Sequence, residues 1–163
     1  METITIRKPP APKGFGLEGA LIVNSTQIKQ ATLKVFPWAE VEVRDVTYAV
    51  LPKASMAQLT AWLRYLWKQL GAEYVTYSLS DFEAEYRDCD NFAMFWKGVS
   101  DGLPIWGGSP RAYAESGTHA FNLFIAEEDL SIFLCEPQAG GITGPITQPE
   151  KLEPSYRPRK IYW

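Results

Sequence analysis

Residues 119–138 read His119-Ala120-Phe121-Asn122-Leu123-Phe124-Ile125-Ala126-Glu127-Glu128-Asp129-Leu130-Ser131-Ile132-Phe133-Leu134-Cys135-Glu136-Pro137-Gln138. Two short apolar runs flank an acidic, turn-forming stretch, the pattern of a hairpin between strands His119–Ala126 and Leu130–Gln138. A turn at Glu127-Glu128 sets Phe121 opposite Leu134, Leu123 opposite Ile132, and Ile125 opposite Leu130. All of these share one face, because side chains alternate along a strand. A one-residue slip would turn the apolar set to the other face. The same register puts His119 opposite Glu136 at the open end. Directly opposed Cβ atoms stand about 4.5–5.5 Å apart, within reach of an imidazole–carboxylate hydrogen bond. Cys135 falls on the opposite face from Glu136.

Upstream, Asp88 is a suitable N-cap for a helix running to Ser100, with Asp101-Gly102 as its stop. Cys89 then occupies the first helical position, where unpaired N–H groups and the positive dipole end favour a thiolate. Asp88 and Asp90 oppose that effect unless a cation lies nearby. Taken alone, Cys89 reads as a small core residue, and His119 as a structural histidine. Together, thiol, imidazole and carboxylate form a nucleophilic constellation. A Cys89–Cys135 bridge is the competing use of the thiols. A second helix spans Ser55–Leu70, with Ser55 and Gln58 as a capping box and Met56, Leu59, Leu63, Leu66 and Leu70 as its core stripe.

The remaining chain is punctuation and edge. Thr3–Arg7 alternates weakly, and prolines and glycines break the chain soon after. Residues from 1 to about 40 read as an irregular N-terminal segment. Val41–Leu51 reads as a strand with a bulge near Arg44-Asp45, and Leu103–Gly117 as a long loop. Within that loop Trp106, Gly107 and Gly108 are candidates to line a cleft, although a packing Trp beside an ordinary turn fits equally. The Pro-rich tail from about 145 to 163 reads as extended, wrapped on the domain so that Tyr156, Ile161, Tyr162 and Trp163 stay dry.

The 163 residues suit a single domain. A hydrophobic fraction of 46% with 21% charged residues excludes a disordered chain. A net charge of −3 argues against a nucleic-acid binder, leaving Arg157, Arg159 and Lys160 as a solvated basic cluster. No run approaches the roughly twenty apolar residues of a membrane span. The N-terminus lacks the apolar run of a secretory signal, and two cysteines are too few for a disulfide framework. A cytoplasmic protein with reduced thiols is expected.

Three strings taken in order, Asp88-Cys89-Asp90-Asn91-Phe92-Ala93, Gly117-Thr118-His119-Ala120-Phe121-Asn122 and Glu136-Pro137-Gln138, resemble the motifs of the agglutinin C-terminal family. This is the papain-like cysteine-protease domain fused to a fungal galactose-binding lectin, with stand-alone relatives in bacteria and phages. The resemblance covers about Tyr74 to Gly140. It implies Cys89 as nucleophile, His119 as general base and Glu136 as its orienter. It also implies calcium dependence, with Asp88, Asp90, Asn91 and Gln138 as ligand candidates. No threefold repeat precedes the domain, so the resemblance carries no sugar binding.

The expected fold is therefore α+β and papain-like, with a nucleophile helix packed on an antiparallel sheet. The expected activity is cysteine-dependent acyl transfer on a peptide or protein substrate, without nucleic acid or membrane as partner. A transglutaminase-like acyltransferase uses the same three groups. A degenerate, non-catalytic binding module of phage or bacterial origin is the alternative of another class.

Overall fold

The computed structural model describes residues 20–69, 88–101, 108–139 and 141–163. Thr3–Arg7 and the N-terminal prolines and glycines lie outside them. The architecture is mixed α/β, with eight strands and three α-helices among the described residues. A six-stranded sheet forms the centre. Its edge strand β2 (Glu40–Glu42) is followed by β8 (Lys160–Tyr162), β4 (Arg111–Glu115), β5 (Ala120–Ala126), β6 (Ser131–Glu136) and β7 (Gly141–Thr143). Only β2 and β8 run parallel; the other neighbours are antiparallel. The sheet is thus mixed, where a purely antiparallel one was expected. A separate antiparallel ribbon joins β1 (Leu21–Asn24) to β3 (Thr47–Val50).

Alternation along β5 and β6 divides two cores. Phe121, Leu123, Ile125, Ile132 and Leu134 pack with Ile28 and Phe36 from the side of α1 (Ser25–Val35), and with Ile161 and Trp163 from the C-terminus. Phe124, Phe133 and Cys135 face the other way. They meet Leu59, Leu63 and Trp67 of α2 (Lys53–Gln69) and Phe92 and Trp96 of α3 (Cys89–Asp101). Trp67 stands edge-on to Phe92 at 4.5 Å between centroids, which locks the two helices together.

The residues 20–40 are regular, not irregular. Asn24 Oδ1 accepts the Gln27 amide at 3.0 Å, and Gln27 Oε1 accepts the Asn24 amide at 2.9 Å, a reciprocal cap that starts α1. The helix buries only Ile28 and Thr32, so its apolar stripe is too narrow to stand out from sequence. The strand expected over Val41–Leu51 is two strands belonging to two different sheets, β2 and β3; the bulge region is a full break. Inside the expected loop, Arg111–Glu115 is a central strand. The tail is not simply extended. It makes two short 3-10 turns, Pro149–Lys151 and Pro154–Tyr156, and then inserts β8 between β2 and β4. Of its four aromatic and apolar residues expected to be dry, Ile161 and Trp163 are buried at 0% and 2% exposure, while Tyr156 and Tyr162 are only partly buried.

Helix α2 starts at Lys53, two residues before the expected cap Ser55. The Lys53 amide donates instead to Glu127 Oε1 at 2.9 Å, so the β5–β6 turn caps α2 from 74 residues away. That turn is longer than expected. Ala126 pairs with Ser131, leaving four residues in the loop, with Glu127 and Leu130 at positive φ. The register therefore differs by two residues, pairing Leu123 with Leu134 and Ile125 with Ile132. A two-residue shift preserves faces, so each strand buries the face expected of it.

Candidate functional site

Three elements converge at one end of the sheet. Cys89 is the first residue of α3, whose opening turn is made by the Phe92 amide donating to the Asp88 carbonyl at 3.2 Å. Asn122 on β5 holds that helix on the sheet. Its buried Nδ2 donates at 3.0 Å to both the Ala93 carbonyl on α3 and the Ala112 carbonyl on β4. In this position the Ala120 amide donates to Cys89 Sγ at 3.4 Å.

His119 ends the tight turn between β4 and β5. The Ser116 amide donates to the His119 carbonyl at 2.9 Å, and Ser116 Oγ accepts the His119 amide at 3.1 Å. Gly117 takes φ +97 there, and an added Cβ would lie 3.3 Å from Arg159 Nη1, so glycine suits both the conformation and the space. The imidazole is thus presented from a fixed backbone.

Its Nε2 meets Glu136 Oε2 at 2.8 Å. In the observed register Glu136 is not directly opposite His119. The pair is diagonal, and diagonal positions remain within reach for long side chains. Cys89 first and Glu136 second outweigh burial and raise His119 to about 9. The histidine and glutamate side chains are 16% and 13% exposed, open enough for a small group to reach them. Cys135 is different in every respect. It is fully buried against Thr60 Oγ1 at 3.5 Å, and burial pushes its thiol to about 12. Both cysteines are free, so the bridge between them is not made.

Asp88, Asp90 and Asn91 cluster around the thiol at the start of α3. Burial first, and then the Asp90 carboxylate, lift Asp88 to about 6. Asp90 Oδ1 accepts the Asn91 amide at 3.0 Å. Four carboxyl or amide oxygens near the three motifs are closed off from solvent without a hydrogen-bond partner: Asp88 Oδ1, Asn91 Oδ1, Glu136 Oε1 and Gln138 Oε1. Buried oxygens left so are uncommon and call for a reason. No group of three or more His, Cys, Asp and Glu side chains forms a metal cluster among the described residues. Amide oxygens would therefore have to share any cation shell.

No family model matches the sequence, and no curated protein matches it. Solved structures do. The fold is like that of a fungal lectin. Chains from Polyporus squamosus lectin bound to the human-type influenza-binding epitope Neu5Aca2-6Galb1-4GlcNAc, and from a PSL1a–E64 complex, each align with a TM-score of 0.60 at 16% identity. Each alignment covers 88% of this chain and 50% of that chain. The chain therefore spans about half the length of these neighbours, and the likeness is one of fold.

Trp106 and Gly107 lie outside the described residues. Gly108 lies toward the other end of α3, where its carbonyl accepts the Ala49 amide at 2.7 Å. Close by, Arg111 bridges Ser109 to Ser100 and Asp101 at the end of the helix. Thirteen helical residues separate that end from Cys89 by about 18 Å, so Gly108 is not part of the Cys89 site.

One residue of the site was not foreseen from sequence. Tyr156, in the second 3-10 turn, donates its hydroxyl to Glu136 Oε2 at 2.5 Å and stands edge-on to His119 at 5.1 Å between ring centroids. Its only sequence signal is an aromatic among prolines in a tail that must be kept dry.

Proposed function

We propose that the chain is a papain-like cysteine peptidase acting through Cys89, His119 and Glu136. The observation that supports this most is the His119 Nε2–Glu136 Oε2 contact at 2.8 Å next to a thiol at a helix N-terminus, whose sulfur accepts the amide of Ala120, the residue after the imidazole. Glu136 holds Nε2, which leaves Nδ1 for the sulfur. A raised imidazole keeps its proton through neutral pH, as a thiolate–imidazolium pair requires.

The chemistry follows from that pair. The Cys89 sulfur attacks the substrate carbonyl carbon, a C–S bond forms, and the carbonyl electrons move onto oxygen. The Cys89 amide, unpaired in the first helical turn, is one donor for that oxyanion. As the oxyanion collapses, the C–N bond breaks and His119 gives its proton to the departing amine. Water, giving a proton back to His119, then cleaves the thioester to release the acid and restore the thiolate–imidazolium pair. An amine in place of water would make the same site an acyltransferase.

The calcium reading is supported by the partnerless oxygens of Asp88, Asn91 and Gln138. Calcium is a hard cation that takes oxygen ligands from carboxylates and amides alike. When bound it would supply positive charge that offsets two aspartates beside the thiol. Asp88, Asp90, Asn91 and Gln138 would hold it, tying the start of α3 to the segment after β6.

A second reading is a non-catalytic glycan-binding module, favoured by the likeness to a lectin described with a bound sialylated glycan. Incubation with E64 and with fluorogenic peptides, with and without calcium, separates the two. The peptidase reading expects a covalent adduct on Cys89 and hydrolysis abolished in Cys89→Ala. No adduct and no hydrolysis, together with glycan binding unaffected by Cys89→Ala, would overturn it.

A further inference from the structure

Glu136 Oε2 is shared. It accepts from His119 Nε2 at 2.8 Å and from the Tyr156 hydroxyl at 2.5 Å, while Glu136 Oε1 has no partner. The ring of Tyr156 also packs edge-on against His119 at 5.1 Å and against Phe121 at 5.5 Å. One side chain therefore fixes the carboxylate and covers the side of the imidazole.

The segment that carries Tyr156 is pinned at both ends. Upstream, the Ile146 amide donates to the Ile132 carbonyl at 2.8 Å. Downstream, the Arg159 amide donates to Glu115 and its carbonyl accepts from Glu40, each at 2.8 Å, before β8 enters the sheet. The turn itself is closed by the Tyr156 amide on the Glu153 carbonyl at 2.8 Å, and by Arg157 Nε on the Leu152 carbonyl at 2.8 Å. Such a strap holds the phenol in place without needing the carboxylate to attract it.

We propose that Tyr156 is a positioning residue, which orients Glu136 toward His119 from a C-terminal strap lying beyond all three motifs. The inference rests on the reading of Cys89, His119 and Glu136 as a catalytic unit. A glutamate reaching diagonally has rotamers that miss the imidazole. A phenol donor on the oxygen already facing Nε2 selects the rotamer that does not. The ionisable groups acting on His119 are Cys89 on α3 and Glu136 on β6. Asp88 and Asp90 flank the thiol, and Arg159 packs on Gly117 two residues before the imidazole.

The test uses Tyr156→Phe, which keeps the ring and removes only the hydroxyl. His119 is the single histidine, so its NMR titration can be read without assignment. The expected result is a His119 midpoint lowered by about one pH unit and a Cys89 alkylation rate at neutral pH reduced about tenfold, the scale of one hydrogen bond to a charged group. In a Glu136→Gln background the same substitution should shift neither, since the two residues act through one contact. An unchanged or raised His119 midpoint, or an equal effect in the Glu136→Gln background, overturns the inference. The His119 readout needs no turnover. A wild-type Cys89 that proves unreactive would sink the peptidase reading and leave the role of Tyr156 to be decided by the titration alone.

Discussion

At the residue scale, the two cysteines make a controlled pair. Both are free thiols in one fold, yet Cys89 opens a helix beside an imidazole while Cys135 is sealed against Thr60 with its thiol pushed to about 12. Brief iodoacetamide treatment followed by mass mapping should label Cys89 at least tenfold faster, since only the thiolate reacts. Equal labelling would count against an activated Cys89. His119 makes a second prediction, on stability. Its folded value of about 9 lies above the ordinary 6.5. The contribution is therefore complete below about pH 6.5 and is lost as pH rises through about 9. Unfolding free energies of wild type and His119→Ala should differ most in mild acid and converge in alkali. A gap that widens with pH would show that the imidazole is not held as a cation. Asp88 carries the same sign. Raised to about 6, it favours folding fully below its ordinary value of 3.8, and that benefit is lost as pH rises from there through about 6.

At the scale of elements, the notable device is the borrowed cap. Glu127 stands at positive φ in the β5–β6 turn and its carboxylate accepts the Lys53 amide, putting a negative charge at the positive end of α2. Glu127→Ala should cost about 1 kcal/mol, the usual worth of a lost cap, measurable as a lowered urea midpoint with an unchanged slope. Hydrogen exchange should rise first in the opening turn of α2. Exchange rising in β5 and β6 alone would mean that the residue serves the turn and not the helix. The start of α3 was readable, with Asp88 before it and Cys89 at its first position, while its end runs to Asp101, one residue past the expected Ser100. The register of β5 on β6 was readable only to within its parity. Apolar alternation dictates which face a strand buries, whereas the length of the loop decides which residues pair. The loop here is set by Leu130 at positive φ and by Asp129, which accepts the Ser131 amide at 3.1 Å.

At the scale of the whole molecule, α1 lies on one face of the sheet and α2 and α3 on the other. Oxygens of Asp88, Asn91, Glu136 and Gln138 are left without partners near the meeting point of the motifs. Calcium binding there should raise the thermal midpoint. At a concentration 100-fold above Kd the stabilisation is about 2.7 kcal/mol. Asp88→Asn relieves the repulsion by Asp90 and should raise the midpoint of the calcium-free protein while removing the calcium-dependent rise. A midpoint that ignores millimolar calcium in the wild type would remove the metal from the mechanism and leave Asp88 as a cap alone. What the sequence determined by itself is local. Periodicity picked out the helix that carries Cys89, the hairpin and its buried face; the hairpin register picked out the His119–Glu136 pair, and the resemblance of three motifs joined Cys89 to it. The tertiary structure alone decided the diagonal reach of Glu136, the capping of α2 by Glu127, the insertion of β8 into the sheet and the seating of Tyr156 on the carboxylate. Each joins residues or segments far apart in the chain or displaced by a loop. Their energy comes from contacts that exist only once the two cores have formed, and no local pattern of side chains encodes them.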